Sequence, residues 1–244
     1  MSSRSAGSDR ATKRVPDEQL PGSPSPKRRV YIVDDHVMLR EGLSLFINGT
    51  TDLMICGESG SAEEALQDIP RSKADIAIVD LALQGTSGLE LLKNLHTRHP
   101  DLPLLVLSMH EESLFAERAL RAGASGYVMK HGDVREVQNA IRRVLDGGIY
   151  LSQSISDRLL KVLARSNGSV QGSSLDLLSD REIEVFEMIG RGLGNSEIAR
   201  RLHLSVKTVE GYRARIKSKL DLKDAGELVQ HALAWARERF DGRQ

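Results

Sequence analysis

Ile76-Ala77-Ile78-Val79-Asp80-Leu81 is the stretch on which the fold turns. Four apolar residues, three of them β-branched, run straight into one carboxylate. A short apolar run of this kind reads as a buried strand. It leaves Asp80 at the sheet's edge, and in open α/β sheets ligands bind outside the carboxyl ends of the strands. Asp80 is therefore a candidate reactive group, and the surrounding chain can be read for what points at it.

The same pattern repeats on both sides. Val30-Tyr31-Ile32-Val33 is a strand ending in Asp34-Asp35, followed by a helix over roughly Val37–Asn48 with Leu39, Leu43 and Phe46 at helical spacing. Leu53–Glu58 reads as a second strand. Ser61-Ala62-Glu63-Glu64 resembles a capping box and opens a helix expected to stop before Pro70. After Ile76–Asp80 come a glycine-containing loop, Gly85–Gly88, and a helix, Leu89–His96. Leu104–Leu107 is a strand ending in Ser108, and Ser113–Ala122 a helix closing at Gly123. Gly126–Met129 is a strand ending in Lys130, and Val134–Leu145 the next helix. Five strands alternating with five helices predict an α/β doubly wound five-stranded parallel sheet with right-handed crossovers.

Residues 152–174 change character. Ile155, Leu159, Leu160 and Leu163 suit a short amphipathic helix, and Asn167–Ser174 is Gly/Ser-rich, as in a flexible linker. The last segment reads as four helices. Ser179 and Glu182 form a capping box, with a staple between Leu178 and Ile183, for a helix ending near Arg191. Asn195 is expected to cap a second helix holding Ile198, Ala199 and Leu202. A tight turn at His203-Leu204 leads to a third helix capped by Ser205 and running to about Leu220. Glu227–Phe240 is the fourth. The expected units are a disordered tail (1–28), the α/β unit (29–150), a linker (151–175) and an all-α unit (176–240).

The formal net charge of zero conceals an asymmetry. Val30–Tyr150 carries 18 acidic against 11 basic side chains, whereas Arg200–Lys219 carries seven basic against the single Glu210. An acidic half suits cations or phosphate chemistry, and a basic stripe suits a polyanion. Residues 1–28 are Ser-, Pro- and Arg-rich, too polar to offset ordering entropy. The single Cys56 excludes an internal disulfide and a multi-cysteine metal site. There is no apolar run of about 18 residues, so no membrane span is expected. The charged N-terminus lacks a secretory apolar stretch, so a cytoplasmic protein is expected.

Parallel strands bring Asp34, Asp35, Asp80, Ser108 and Lys130 to one edge. Clustered carboxylates repel and raise each other's pKa unless a cation joins them. Oxygen-only ligands select a hard ion, and Mg²⁺ fits. An aspartate flanked by Mg²⁺ and a lysine suits nucleophilic attack on phosphorus, giving an aspartyl phosphate.

Val33-Asp34-Asp35-His36, Ile78-Val79-Asp80, Leu107-Ser108 and Gly126-Tyr127-Val128-Met129-Lys130 together resemble the receiver domain of a two-component response regulator, a flavodoxin-like fold. The resemblance implies that Asp80 is the phosphoacceptor and that Asp34, Asp35 and the backbone carbonyl of Ala82 help hold Mg²⁺. It also implies a switch in which Ser108 moves onto the phosphoryl group and Tyr127 fills the vacated space. One departure stands out. The family usually has a proline before the loop glycine, and this chain has Leu83-Gln84-Gly85, which puts the lifetime of the phosphoryl group in question.

Helix, short turn and Ser-capped basic helix is helix-turn-helix syntax. Val209, Ile216 and Leu220 share the inward face, with Tyr212 beside them. Lys207, Glu210, Gly211, Ala214, Arg215 and Lys217 lie outward, and Arg213 and Lys219 add charge in phosphate range. Leu178-Ser179-Asp180-Arg181-Glu182, Gly192–Ala199, Leu204–Val209 and Lys219-Leu220 resemble a LuxR-type (NarL/FixJ-type) DNA-binding domain. That resemblance implies Glu210, Gly211 and Ala214 toward base edges and Lys207 and Thr208 near the backbone. Glu210 could accept from a cytosine amine or simply repel phosphate.

The expected protein is a response regulator, not an enzyme: a transcription factor gated by phosphorylation of Asp80. Its expected partners are a histidine kinase, double-stranded promoter DNA, a second copy of itself when phosphorylated and, as a further candidate, RNA polymerase. A Mg²⁺-dependent phosphohydrolase would need an acid/base aspartate where Ala82 stands. A signalling protein with a vestigial basic domain would not need the intact caps and basic stripe.

Overall fold

A computed structural model describes residues 26–83, 86–165 and 174–240. Most of the expected N-terminal tail, the Gln84-Gly85 substitution and the centre of the expected linker lie outside the described residues.

The α/β unit forms as β1 (Arg28–Val33), α1 (Val37–Asn48), β2 (Leu53–Ser59), α2 (Ala62–Ser72), β3 (Ile76–Val79), α3 (Gly88–Arg98), β4 (Leu104–Ser108), α4 (Glu112–Arg121), β5 (Gly126–Met129) and α5 (Val134–Leu145). Every pairing is parallel and the strand order is β2-β1-β3-β4-β5. Ile76 to Val79 are fully buried, as a strand covered on both faces must be. Side chains alternate between two cores. Val33, Val79 and Val106 face the α2–α4 side, and Ile32, Ile78 and Leu105 pack under α1 and α5.

The boundary at Pro70 differs from the sequence reading. Helix α2 runs through Pro70 and ends at Ser72, where Lys73 adopts a left-handed conformation. Pro70 cannot donate an i→i−4 bond, but it falls in the last turn, where a single lost bond is easily accommodated, and the Ser72 hydroxyl donates to the Ile69 carbonyl at 2.8 Å.

Much of the expected linker is ordered against the α/β unit. Helix α6 (Gln153–Arg165) lies on α4: the Ser152 amide donates to Glu112 Oε1 at 2.9 Å, and Arg158 to the Ser113 carbonyl at 3.2 Å. A short 3-10 turn, Ser174–Leu177, leads into α7 (Asp180–Gly190). Then come α8 (Asn195–Arg201), α9 (Val206–Lys219) and α10 (Ala225–Phe240). The Ser179–Glu182 capping box is formed. At α8 the cap is Gly194 rather than Asn195, which is the first helical residue. His203 takes a positive φ of 52° in the turn before α9, and the Ser205 hydroxyl caps that helix on the Thr208 amide. Phe186 and Trp235 meet edge-on at the centre of the four helices. Helix α7 packs on both sides, so one continuous cluster of buried residues joins it to α3 and α4 of the α/β unit.

Candidate functional site

The strand ends set the site. Asp80 directly follows β3, and its amide donates to the Val33 carbonyl at 2.9 Å; the Asp34 amide donates to Ser59, and the Lys130 amide to Ser108. These bonds extend the ladders just past the sheet and fix where each side chain departs. Gly88 closes the loop behind Asp80. A Cβ there would lie 2.2 Å from the Asp80 carbonyl oxygen, so α3 can begin this close only with glycine.

Lys130 Nζ lies 2.6 Å from Asp80 Oδ2 and 2.7 Å from Asp34 Oδ2. The Ala82 amide donates to Asp80 Oδ1 at 3.1 Å, and the His36 amide to Asp34 Oδ1 at 2.9 Å. Burial pushes the Asp80 carboxyl above its ordinary value; Lys130 draws it down, Asp34 pushes it up, and the net direction is upward. Burial opposes the Lys130 charge, but Asp80 and Asp34 outweigh it and hold the ammonium above the ordinary lysine range. One ammonium among three carboxylates leaves the cluster short of positive charge.

Asp34, Asp35, His36 and Asp80 bring ligand atoms within 4.8 Å of one another. Asp35 Oδ1 has the His36 ring 2.8 Å away. The carboxylate oxygens fit a hard divalent ion, and Ala82 lines the same cleft. Bound there, the ion would neutralise charge on a transferring phosphoryl group.

Ser108 and Tyr127 are both buried. The Ser108 hydroxyl accepts from the His110 amide at 3.2 Å, and the Tyr127 hydroxyl donates to the His110 carbonyl at 2.8 Å. Tyr127 thus occupies an inward position, and its hydroxyl and that of Ser108 both meet the backbone of His110. Burial holds the Tyr127 phenol well above its ordinary range, so it remains a donor.

Sequence reasoning missed what faces this site. The His110 ring is buried and meets Glu187 of α7, while Glu187 Oε1 accepts from the Glu111 amide at 3.0 Å and from Arg191 at 2.6 Å. Arg191 also donates to the Met109 carbonyl at 3.0 Å. Nearby, Ser87 donates to Glu184, and Asp180 accepts from both Lys93 and Arg118. The signal was present in α7, where Glu184 and Glu187 stand among apolar residues on nearly every side. A helix of that kind packs all round, and buried glutamates then need partners.

On the basic helix, Val209 and Ile216 are buried and Leu220 and Tyr212 half-buried, as expected. Lys207, Thr208, Glu210, Ala214 and Arg215 are exposed; Gly211, Arg213 and Lys217 are partly covered. The Arg215 guanidinium stacks on Tyr212 at 4.5 Å, and Lys219 is drawn to Glu182 at 2.6 Å. Burial lowers the Arg213 pKa.

Residues 30–142 match the response regulator receiver domain family, and residues 176–232 match the bacterial regulatory proteins of the luxR family. The oxygen regulatory protein NreC of Staphylococcus carnosus is 34% identical over 209 residues, covering 84% of this chain and 96% of NreC. A LuxR-family two-component response regulator from an Aurantimonas species is 31% identical, with a TM-score of 0.53 over 57% of this chain and all of that one. RcsB of Salmonella enterica serovar Typhimurium, solved on promoter rprA with phosphomimetic BeF3-, shares the fold at 24% identity. Its TM-score is 0.56, over 85% of this chain and 98% of that one.

Proposed function

The chain belongs to the LuxR-family response regulators, and from that premise we propose that Asp80 is the phosphoacceptor that governs its helix-turn-helix unit. It is a phosphorylation-regulated DNA-binding transcription factor. The observation that carries the assignment of Asp80 is the Lys130 ammonium bridging Asp34 and Asp80 at the carboxyl edge of the sheet.

The donor is a sensor histidine kinase. An Asp80 oxygen attacks the phosphorus of its phosphohistidine, a P–O bond forms as the P–N bond breaks, and the imidazole leaves with the electron pair. Asp34, Asp35, Asp80 and the Ala82 carbonyl would hold Mg²⁺, which screens the phosphoryl charge. Lys130 then pairs with a phosphoryl oxygen and exchanges its carboxylate partner for the new anion. Ser108 reaches a phosphoryl oxygen by giving up the His110 amide. The Tyr127 bond to the His110 carbonyl must adjust with it, so the event at Asp80 is transmitted to the loop that carries His110.

The chain then divides into a tail (1–28), a receiver (29–150), a linker (151–175) and a DNA-binding domain (176–240). The target is double-stranded promoter DNA, entered by α9 with Glu210, Gly211 and Ala214 toward base edges. Lys207, Thr208, Arg213, Arg215 and Lys217 lie toward phosphates. The phosphorylated form is a homodimer that meets RNA polymerase at the promoter, in the cytoplasm. The protein is a regulator rather than an enzyme. Gel-shift titration against genomic fragments tests this. Acetyl phosphate is expected to strengthen binding for the wild type and not for Asp80→Asn; equal binding throughout would remove phosphorylation from the account.

A further inference from the structure

The two units meet over Asp80, and what this contact covers is informative. The outward residues of α9, Lys207, Thr208, Glu210, Ala214 and Arg215, remain exposed while α7 is docked. Docking therefore leaves these side chains in solvent. What it closes is the phosphoacceptor. Asp80 is 1% exposed and opens into a cleft of about 590 Å³ with two walls. The receiver wall carries Asp80, Lys130 and Met109, and the opposite wall carries Arg191, Arg200, Arg201 and His203 of the helical unit.

Size and charge both restrict what can enter. A helix with its side chains is roughly 10–12 Å across, so such a cleft holds about one turn of helix. A phosphohistidine presented on a helical bundle cannot reach Asp80 without displacing the arginine wall. A small dianion fits the volume; Arg191 is paired with Glu187 and Arg200 and Arg201 share Glu197, so the wall keeps a net positive charge that attracts it.

Taking Asp80 as the phosphoacceptor, we infer that the docked DNA-binding domain is a phosphodonor filter. Arg191, Arg200 and Arg201, facing Asp80 across the cleft, admit small acyl phosphates and exclude the protein-borne phosphohistidine until α7 lifts away. With acetyl phosphate the Asp80 oxygen attacks phosphorus, the bond between phosphorus and the acetyl oxygen breaks, and acetate leaves with the electron pair. The docked state is thus open to small donors and closed to kinases. The undocked state is open to both.

The filter is tested in the full chain by comparing two donors, acetyl phosphate and a phosphohistidine-bearing four-helix phosphotransfer protein. Asp180→Ala with Glu187→Ala removes contacts that hold α7 and leaves all three arginines unsubstituted, although Arg191 loses its Glu187 partner. It is expected to raise labelling from the protein donor by roughly tenfold or more, as the competent fraction grows, and labelling from acetyl phosphate by less than about threefold. Arg200→Ala with Arg201→Ala is expected to raise the acetyl phosphate KM. Equal acceleration of both donors by the undocked variant would overturn the filter alone. Absence of label from either donor in every variant would overturn it together with the assignment of Asp80. A second readout needs neither metal nor phosphate. In a Cys56→Ser background, Ala82→Cys is expected to react with iodoacetamide but not with a maleimide carried on a folded protein, and with both once Asp180 and Glu187 are replaced. Reaction with the protein-borne maleimide in the docked chain would refute the filter even if a variant failed to fold.

Discussion

His110 Nδ1 lies 2.5 Å from Glu187 Oε2, joining the loop after β4 to the first helix of the DNA-binding unit inside a buried interface. The same residue holds Ser108 through its amide and Tyr127 through its carbonyl. The ring stacks against Phe115 of α4, with centroids 4.7 Å apart. A movement at Ser108 is therefore felt one residue from the interdomain bond. Replacing Glu187 by Gln keeps the shape and removes the charge, leaving His110⁺ without its counter-ion. Breaking a buried pair from one side costs on the order of 3 kcal/mol, here taken from docking. Hydrogen exchange is expected to rise at residues 109–112 in Glu187→Gln, most of all at the Glu111 amide that Glu187 accepts.

Docking is expected to depend on pH in a defined sense. Burial opposes the His110 charge, but the bond to Glu187 and the nearby Glu184 and Asp80 outweigh it, so its pKa rises above 6.5. Burial likewise opposes the Glu187 carboxylate, but His110, Arg191 and the Glu111 amide prevail, so its pKa falls below 4.5. A raised histidine pKa contributes stability that is fully present at low pH and lost as pH climbs through the docked value. A depressed glutamate pKa contributes stability lost as pH falls through its docked value. The closed form is expected to be most populated between the two limits and to loosen as pH rises past the raised His110 value. Small-angle scattering across pH 5–9 (roughly the range bracketing His110) measures this, and Glu187→Gln should flatten the alkaline limb.

Gly88 offers an independent check on how Asp80 is placed. Gly88→Ala would set a methyl carbon against the Asp80 carbonyl and Leu81 Cα, at 2.2 and 2.4 Å before relaxation. Both neighbours are backbone, so the strain cannot be relieved by a rotamer change. Overpacking of this kind costs about 1–3 kcal/mol. Thermal unfolding should show a lower Tm, and acetyl phosphate labelling should fall with it because the loop carrying Asp80 shifts.

DNA binding through α9 should be strongly salt-dependent. About five phosphate contacts give a log–log slope near −4 to −5, and each basic side chain removed should flatten it by about one. Lys207→Ala with Arg215→Ala is the sensitive pair, since both side chains are exposed, whereas Arg213 and Lys217 are partly covered and should matter less. Fluorescence anisotropy at several salt concentrations reads the slope, and an unchanged slope would remove both residues from the interface.

The fold was legible because each strand announces itself. Short apolar runs end in Asp34, Asp80, Ser108 and Lys130, and the alternation of periods leaves one architecture. The site was legible for the same reason, since parallel strands must deliver those ends to one edge. The coupling was not legible. His110 stands in an unremarkable loop, and its partner is 77 residues away in sequence. Nothing in local spacing pairs the two, because the contact depends on how α7 packs once both units have folded. Pro70 shows the opposite failure, in which a strong local rule is overridden because the residue falls in the last turn of α2.

The central claim is that Asp80 accepts the phosphoryl group. Incubation with ³²P-labelled acetyl phosphate and Mg²⁺, followed by mapping of the labelled peptide, tests it most directly. The wild type should carry an acid-stable, hydroxylamine-labile label on the peptide containing Asp80, and Asp80→Asn should carry none. Persistent label in Asp80→Asn, or label mapped to any other carboxylate in the wild type, would contradict the account.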